Sequence, residues 1–322
     1  MKTRDLMKII TFYARFTPTY TKIGYYGRRL GWGRNPRLDF NGQNWVITGA
    51  SLGLGKAMMK AAAEGGANVI AVARNRNSLE AARSELSAAA AGRVEIQTAD
   101  LSLQSGTQKF LDSLLESGLK IDVLQNNVGI LLNDMIITPE GRETSFVTNV
   151  LSHFLLTEGL LKHDAFADKA LIINMTSGGM YNAPLGYKGL NTTNAGRYNG
   201  KASYAYAKRA QVALTEYWDR KYRDKGIRSY VTHPGWSKTP GVKDALPVFW
   251  KIQNLILRTP LQGADTALWL CATRPERPEE EVVWFDRKAR PTHMFEFTKK
   301  SQCTIEELVN YLQRELDPEP AA

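Results

Sequence analysis

Short apolar runs rich in β-branched residues alternate along this chain with longer segments whose apolar positions recur at helical spacing. Trp45-Val46-Ile47-Thr48 is the first run, and Asn68-Val69-Ile70-Ala71-Val72-Ala73 the second. Val94–Thr98, Ile121–Asn126, Leu171–Thr176 and Ile227–Thr232 follow as further strands. Between them, Lys56–Ala63, the Ala-rich Ser78–Ala91 and Ala202–Lys221 have helical composition, and the last contains no Gly or Pro. Strands that are apolar almost throughout belong to a parallel sheet covered on both faces. Right-handed crossovers then wind the helices onto both sides. The pattern predicts a single-domain α/β fold with a Rossmann-like doubly wound parallel sheet spanning residues 43–300, an arm over 1–42, and a helix and tail over 301–322.

The additions are readable too. Thr304-Ile305-Glu306-Glu307 fits a capping box, followed by one apolar stripe of Ile305, Leu308, Val309, Leu312 and Leu316. This segment is expected to dock on the core. At the other end, Leu6, Ile9, Ile10, Phe12, Tyr13, Phe16 and Tyr20 recur at near-helical spacing beside Lys2, Arg4, Lys8 and Arg15. Such a stretch suits peripheral contact of residues 1–20 with an anionic membrane surface. It equally suits a helix docked on the fold or on a partner, and Asp5 is atypical of a targeting peptide.

Composition narrows the function classes. The chain of 322 residues is 43% hydrophobic and 23% charged, as soluble globular proteins are. No apolar run reaches the ~18 residues that span a bilayer. The net charge is +10, but residues 1–40 hold nine Lys or Arg against Asp5 and Asp39. The excess is therefore a basic arm, and no nucleic-acid partner is expected of the fold. Cys271 and Cys303 make no disulfide framework, which suits a reducing intracellular compartment, cytoplasmic or organellar. His153, His163, His233 and His293 lack metal-ligand spacing, so no metal is expected.

Chemistry enters at the first strand-to-helix turn. Gly49, Ser51, Leu52, Gly53, Leu54 and Gly55 form a glycine-rich turn that offers backbone N–H donors to a phosphate at a helix N-terminus. At the end of the second strand stands Arg74, with no carboxylate beside it. A guanidinium there suits the 2′-phosphate of NADP(H), where a carboxylate would suit the ribose of NAD. Further on, Tyr204 and Lys208 lie four residues apart, on one face of a helix. Reduction of a carbonyl needs a proton donor, and a cation beside a tyrosine lowers its pKa from near 10.

With Asn126-Asn127-Val128-Gly129 and Pro234-Gly235 in the same order, the chain resembles the short-chain dehydrogenase/reductase family over roughly residues 43 to 290. The resemblance implies Tyr204 as general acid/base, Lys208 as its tuning cation and holder of the nicotinamide ribose, Ser177 as orienter of the carbonyl, and Asn149 as part of a proton relay. It implies Asp100 and Leu101 beside the adenine, Asn126, Val128 and Gly129 along the cofactor, and Pro234, Gly235 and Thr239 at the carboxamide. Val128 stands where the family has Ala. Thr176 precedes Ser177, but adjacent strand residues face opposite ways, and alignment on Gly178-Gly179 favours Ser177. Tyr206 faces elsewhere on the helix. The expected activity is NADP(H)-dependent interconversion of a lipophilic carbonyl and its alcohol. The loop Gly178–Ser203 and the apolar segment Gly241–Pro260 are candidate lids over a small-molecule site. The competing expectation is a non-catalytic dehydrogenase-like subunit of an oligomer or larger, membrane-associated assembly.

Overall fold

The structure, a computed structural model, describes residues 16–278 and 282–317. Its centre is one sheet of eight strands in the order β3-β2-β1-β4-β5-β6-β7-β8. These are β1 (Asn44–Thr48), β2 (Asn68–Ala73), β3 (Val94–Thr98), β4 (Ile121–Asn126), β5 (Phe166–Met175), β6 (Arg228–Thr232), β7 (Val282–Phe285) and β8 (Lys288–Pro291). All neighbours pair parallel except β7 and β8. Strand order reverses between β1 and β4, which opens a crevice at the carboxyl ends of these strands.

Alternation along each strand fills two cores. Val46, Leu124 and Ile172 pack with Phe154 and Trp218 on one face, while Trp45, Ile47, Val123 and Leu171 pack with Met58 and Leu268 on the other. Each fully buried side chain of this size contributes about 1.5–3 kcal/mol. The C-terminal helix Ile305–Leu316 joins the first core through Leu308, Val309 and Leu312. Its capping box is formed, with Glu307 N–H donating to Thr304 Oγ1 at 3.1 Å and Thr304 N–H to Glu307 Oε2 at 2.8 Å.

Three expectations are corrected. The Ala-rich segment 78–91 is two helices, Arg76–Arg83 and Ala88–Ala91, because Ser87 caps the second. Glu64 holds that break by accepting from both Ser87 N–H and Ser87 Oγ, each at 3.0 Å. The fifth strand starts at Phe166, five residues before the expected Leu171. A hairpin of β7 and β8 was not foreseen. Its turn residues Asp286 and Arg287 have φ of 50° and 59°, a left-handed pair usually made with Asn-Gly. Here the Asp286 carboxylate anchors the turn, accepting from Arg258 at 2.9 Å and from Arg28.

Those two arginines also settle where the described part of the arm lies. Residues 16–20 are helical, and a second helix runs over Lys22–Arg29. Arg258, 1% exposed, donates to the carbonyls of Tyr20 at 2.9 Å and Thr19 at 3.2 Å. Trp236 N–H donates to Tyr20 O at 2.8 Å, and Lys22 N–H to Ile256 O at 2.9 Å. From Phe16 on, the arm is docked on the fold. Leu6, Ile9, Ile10, Phe12, Tyr13 and their basic neighbours lie outside the described residues. Among the described residues no helix is long and apolar enough to cross a membrane.

Candidate active site

The glycine-rich turn joins β1 to the helix Gly53–Glu64. Gly49 and Gly53 have φ of 68° and 56°, which side chains rarely tolerate. A Cβ on Gly55 would lie 2.2 Å from Gly49 O, so only glycine permits this close passage. Asn127 staples the turn, donating from Nδ2 to Thr48 O at 2.8 Å and from N–H to Thr48 Oγ1 at 3.0 Å. Val128 N–H shares the same hydroxyl at 3.1 Å. Ser51 is half-buried on this turn, Leu52 is exposed, and Leu54 lines the pocket below it.

Arg74 follows β2 directly and is exposed. It has no ion-pair partner among the described residues, whereas Arg76 pairs with Glu80 at 3.6 Å. Asp100, after β3, accepts from Ser102 N–H at 3.0 Å and from Ser102 Oγ at 2.6 Å. Leu101 is buried in the core. Asn126 does not turn toward the crevice. It is fully buried and donates to Thr157 Oγ1 and Asn174 Oδ1, both at 3.0 Å, so Asn127 is the residue of that pair that meets the turn.

A cavity of about 970 Å³ opens at the carboxyl end of the sheet. It brings together Gly129, Ser177, Tyr204, Lys208, Pro234, Gly235 and Thr239 from four separate segments. Tyr204 and Lys208 come from the helix Gly200–Tyr222, which Asn199 caps by accepting from Ala202 N–H. The Lys208 ammonium is 5.4 Å from the centre of the Tyr204 ring. Lys208 Nζ donates to Met175 O at 2.9 Å and Gln211 Oε1 at 3.1 Å. Burial pushes this amine down to about 7. Tyr204 departs from expectation. Burial raises its phenol, and the opposing influence is a hydrogen bond with Ser177, with no lowering from Lys208. Desolvation dominates at this fully enclosed phenol.

Asn149 sits in a wide π-helical turn, Val147–Leu151, of a kind often found at functional sites. Its side chain is locked on one backbone position, accepting from Ile130 N–H and donating to Ile130 O, both at 2.8 Å. Thr176 turns away from Ser177's side and donates to Lys208 O at 2.9 Å. Tyr206 packs on Gly189 and accepts from Gln302, away from the site.

The arm and the expected lid segment both reach the cavity, together with Trp236 and Phe295, which carry no local sequence signal. Phe16 and Tyr20 from the arm form one wall, with Trp236, Phe249 and Phe295. Tyr20 stacks on His233 at 4.7 Å and on Phe16 at 5.2 Å between ring centres. The two segments expected as lids divide. Tyr181 and Asn182 line the cavity, while Tyr187 stacks on Tyr311 and Tyr198 donates to Leu132 O. Val242, Leu246 and Phe249 bring the segment after Gly241 to the cavity mouth.

This geometry has counterparts. Residues 43–247 match the family model described as short chain dehydrogenase. The chain belongs to the short-chain dehydrogenase/reductase family of oxidoreductases. Among particular relatives, it is 31% identical over 316 residues to Dehydrogenase/reductase SDR family member 12 from Bos taurus, covering 96% of this chain and 97% of that one. It is 30% identical to Retinol dehydrogenase 12 from Bos taurus, over 69% of this chain and 71% of that protein. A crystal structure of a putative uncharacterized protein from Mycobacterium paratuberculosis superposes with a TM-score of 0.66 at 24% identity, covering 86% of this chain and 94% of that one.

Proposed function

We propose that this protein is an NADP(H)-dependent oxidoreductase that interconverts a lipophilic carbonyl compound and its alcohol. The observation that carries the reading is the convergence of Ser177, Tyr204 and Lys208 on one cavity that Phe16, Tyr20, Trp236 and Phe249 also line. The residues present fit a dinucleotide. Gly49, Gly53 and Gly55 leave the backbone bare beside a helix N-terminus, and Arg74 stands exposed, with no ion-pair partner among the described residues, where a 2′-phosphate would arrive. Such a cofactor, when bound, supplies or accepts hydride.

The chain's own residues handle the proton. Tyr204 donates one to the carbonyl oxygen in reduction and takes it back in oxidation. Ser177, which lines the same cavity, shares that oxygen and orients it. Lys208 places a cation beneath the phenol, so that phenolate is tolerated in a buried site. Pro234, Gly235 and Thr239 close the cavity opposite Tyr204, and Phe16, Tyr20, Trp236 and Phe249 exclude water from it. An apolar substrate fits these walls, and a relative named for retinol, an apolar alcohol, supports that class.

A thermal-shift titration tests the reading. At a hundred times its dissociation constant, a ligand of the native state stabilises by about 2.7 kcal/mol, or roughly 4 °C for a chain of this size. NADPH is expected to give that shift at lower concentration than NADH. No shift with either nucleotide overturns the proposal.

A further inference from the structure

Resemblance implies Asn149 as part of a proton relay, and in the structure the Gln211 side chain bridges the Asn149 carbonyl to the Lys208 ammonium. Its Nε2 donates to Asn149 O at 2.8 Å and meets His153 Nδ1 at 3.0 Å, while its Oε1 accepts from Lys208 Nζ at 3.1 Å. Both amide hydrogens are thereby used on acceptors, which leaves one orientation for the amide, with oxygen toward the ammonium. Gln211 is 1% exposed and His153 is also 1% exposed, so no water shares these bonds at the surface.

We propose that Gln211 is a positioning residue for the acid–base pair: its amide holds Lys208 charged and aimed at Tyr204. The inference rests on the reading of Tyr204 and Lys208 as that pair. Lys208 has three hydrogens to place in a buried site. Two go to Met175 O and Gln211 Oε1, leaving one for the cavity that holds Tyr204. Both acceptors are neutral, so they offset part of the desolvation that pushes the amine down without supplying a counter-charge.

The surrounding groups fit this arrangement. His153, from the helix Ser152–Lys162, is pushed down to about 3, first by burial and then by the Lys208 charge. It is neutral at physiological pH, and its Nδ1 meets the Gln211 amide. Ser177 and Tyr204 face Lys208 from the cavity, while Tyr20, Tyr181, Asp134, Lys201 and Asp244 line other parts of the same cavity. No carboxylate is hydrogen-bonded to the ammonium among the described residues. An amide does not relay protons as a hydroxyl or water does. Lys208 therefore exchanges its proton through the cavity, on the Tyr204 side.

The experiment follows the Lys208 Cε resonance by carbon NMR in lysine-labelled protein, assigned by its loss in Lys208→Met and needing no substrate. Gln211→Met keeps the volume and removes the acceptor, and the Lys208 midpoint should fall by about one to two pH units, the value of one charge-assisted hydrogen bond. Gln211→Glu keeps an acceptor toward Lys208, and its midpoint should stay at or above that of the wild type. The alkaline limb of kcat/KM for carbonyl reduction should move to lower pH in Gln211→Met by the same interval. An unchanged midpoint in Gln211→Met, or a lowered one in Gln211→Glu, overturns the proposal. A wild-type protein without turnover refutes the acid–base reading instead, while the NMR titration still reports on Gln211.

Discussion

Replacing Asp286 with Asn tests whether the arm is part of the fold. Asp286 and Arg258 are each 1% exposed, and their side chains face each other through two contacts. Asn keeps the shape but removes the charge, leaving a buried guanidinium with only neutral acceptors, the carbonyls of Thr19 and Tyr20. Breaking a buried pair from one side costs about 3–5 kcal/mol. The second partner, Arg28, is 26% exposed and adds little, about 0–1 kcal/mol. The expected loss is thus about 3–5 kcal/mol, a large fraction of the ~5–15 kcal/mol that stabilises most domains. Urea unfolding should show a midpoint lowered by about 1–2 M with an unchanged slope. Limited proteolysis should cut the arm before Lys22 first, because the Arg258 guanidinium that anchors Tyr20 and Thr19 is no longer held by Asp286. A loss below about 1 kcal/mol, with the arm still protected, would refute the argument that this buried charge cluster holds the arm and the pocket wall it forms.

Arg74→Ala should weaken NADPH binding by about 1.5–3 kcal/mol and leave NADH almost unchanged, as read by calorimetric titration with each nucleotide. Equal weakening of both would show that Arg74 reads something other than the 2′-phosphate. Lys208 carries a folded-state pKa depressed to about 7, well below that of an unfolded lysine, so the unfolded chain binds more protons between those values. Stability attributable to this residue therefore rises with pH above about 7. The gap in unfolding free energy between the wild type and Lys208→Met should shift in favour of the wild type by on the order of 2 kcal/mol from pH 7 to 9. A gap that stays flat would mean that Lys208 is solvated.

What was legible in the chain follows from how local the signal is. Strands β1, β2, β4, β6 and the second half of β5 show in the sequence because nearly all their residues are buried, while β3 alternates buried and exposed and shows by its β-branched Val94 and Ile96. The hairpin β7–β8 does not, since its turn is Asp286-Arg287 without glycine and β8 is a half-polar edge. The Ser177, Tyr204 and Lys208 set was readable from order and spacing, and the structure brings the three to one cavity. The arm's docking was not, because Arg28, Arg258 and Asp286 are far apart in sequence and nothing local marks them as partners. Tyr20, His233 and Phe249 are likewise ordinary residues until the fold stacks or gathers them. Gln211 had one faint mark, its place three residues after Lys208 on the same helix face. Burial also reverses a local inference, since Tyr204 is raised by desolvation where proximity to Lys208 alone implied lowering.

The account's central claim is that Tyr204 moves the proton in a nicotinamide-dependent reaction. The direct measurement is NADPH oxidation by the wild type and Tyr204→Phe against a panel of lipophilic aldehydes and ketones, with nucleotide affinity measured in parallel. The wild type should reduce at least one member, and Tyr204→Phe should lose about two to four orders of magnitude in rate while binding NADPH as before. Turnover by Tyr204→Phe within a few-fold of the wild type would contradict the account.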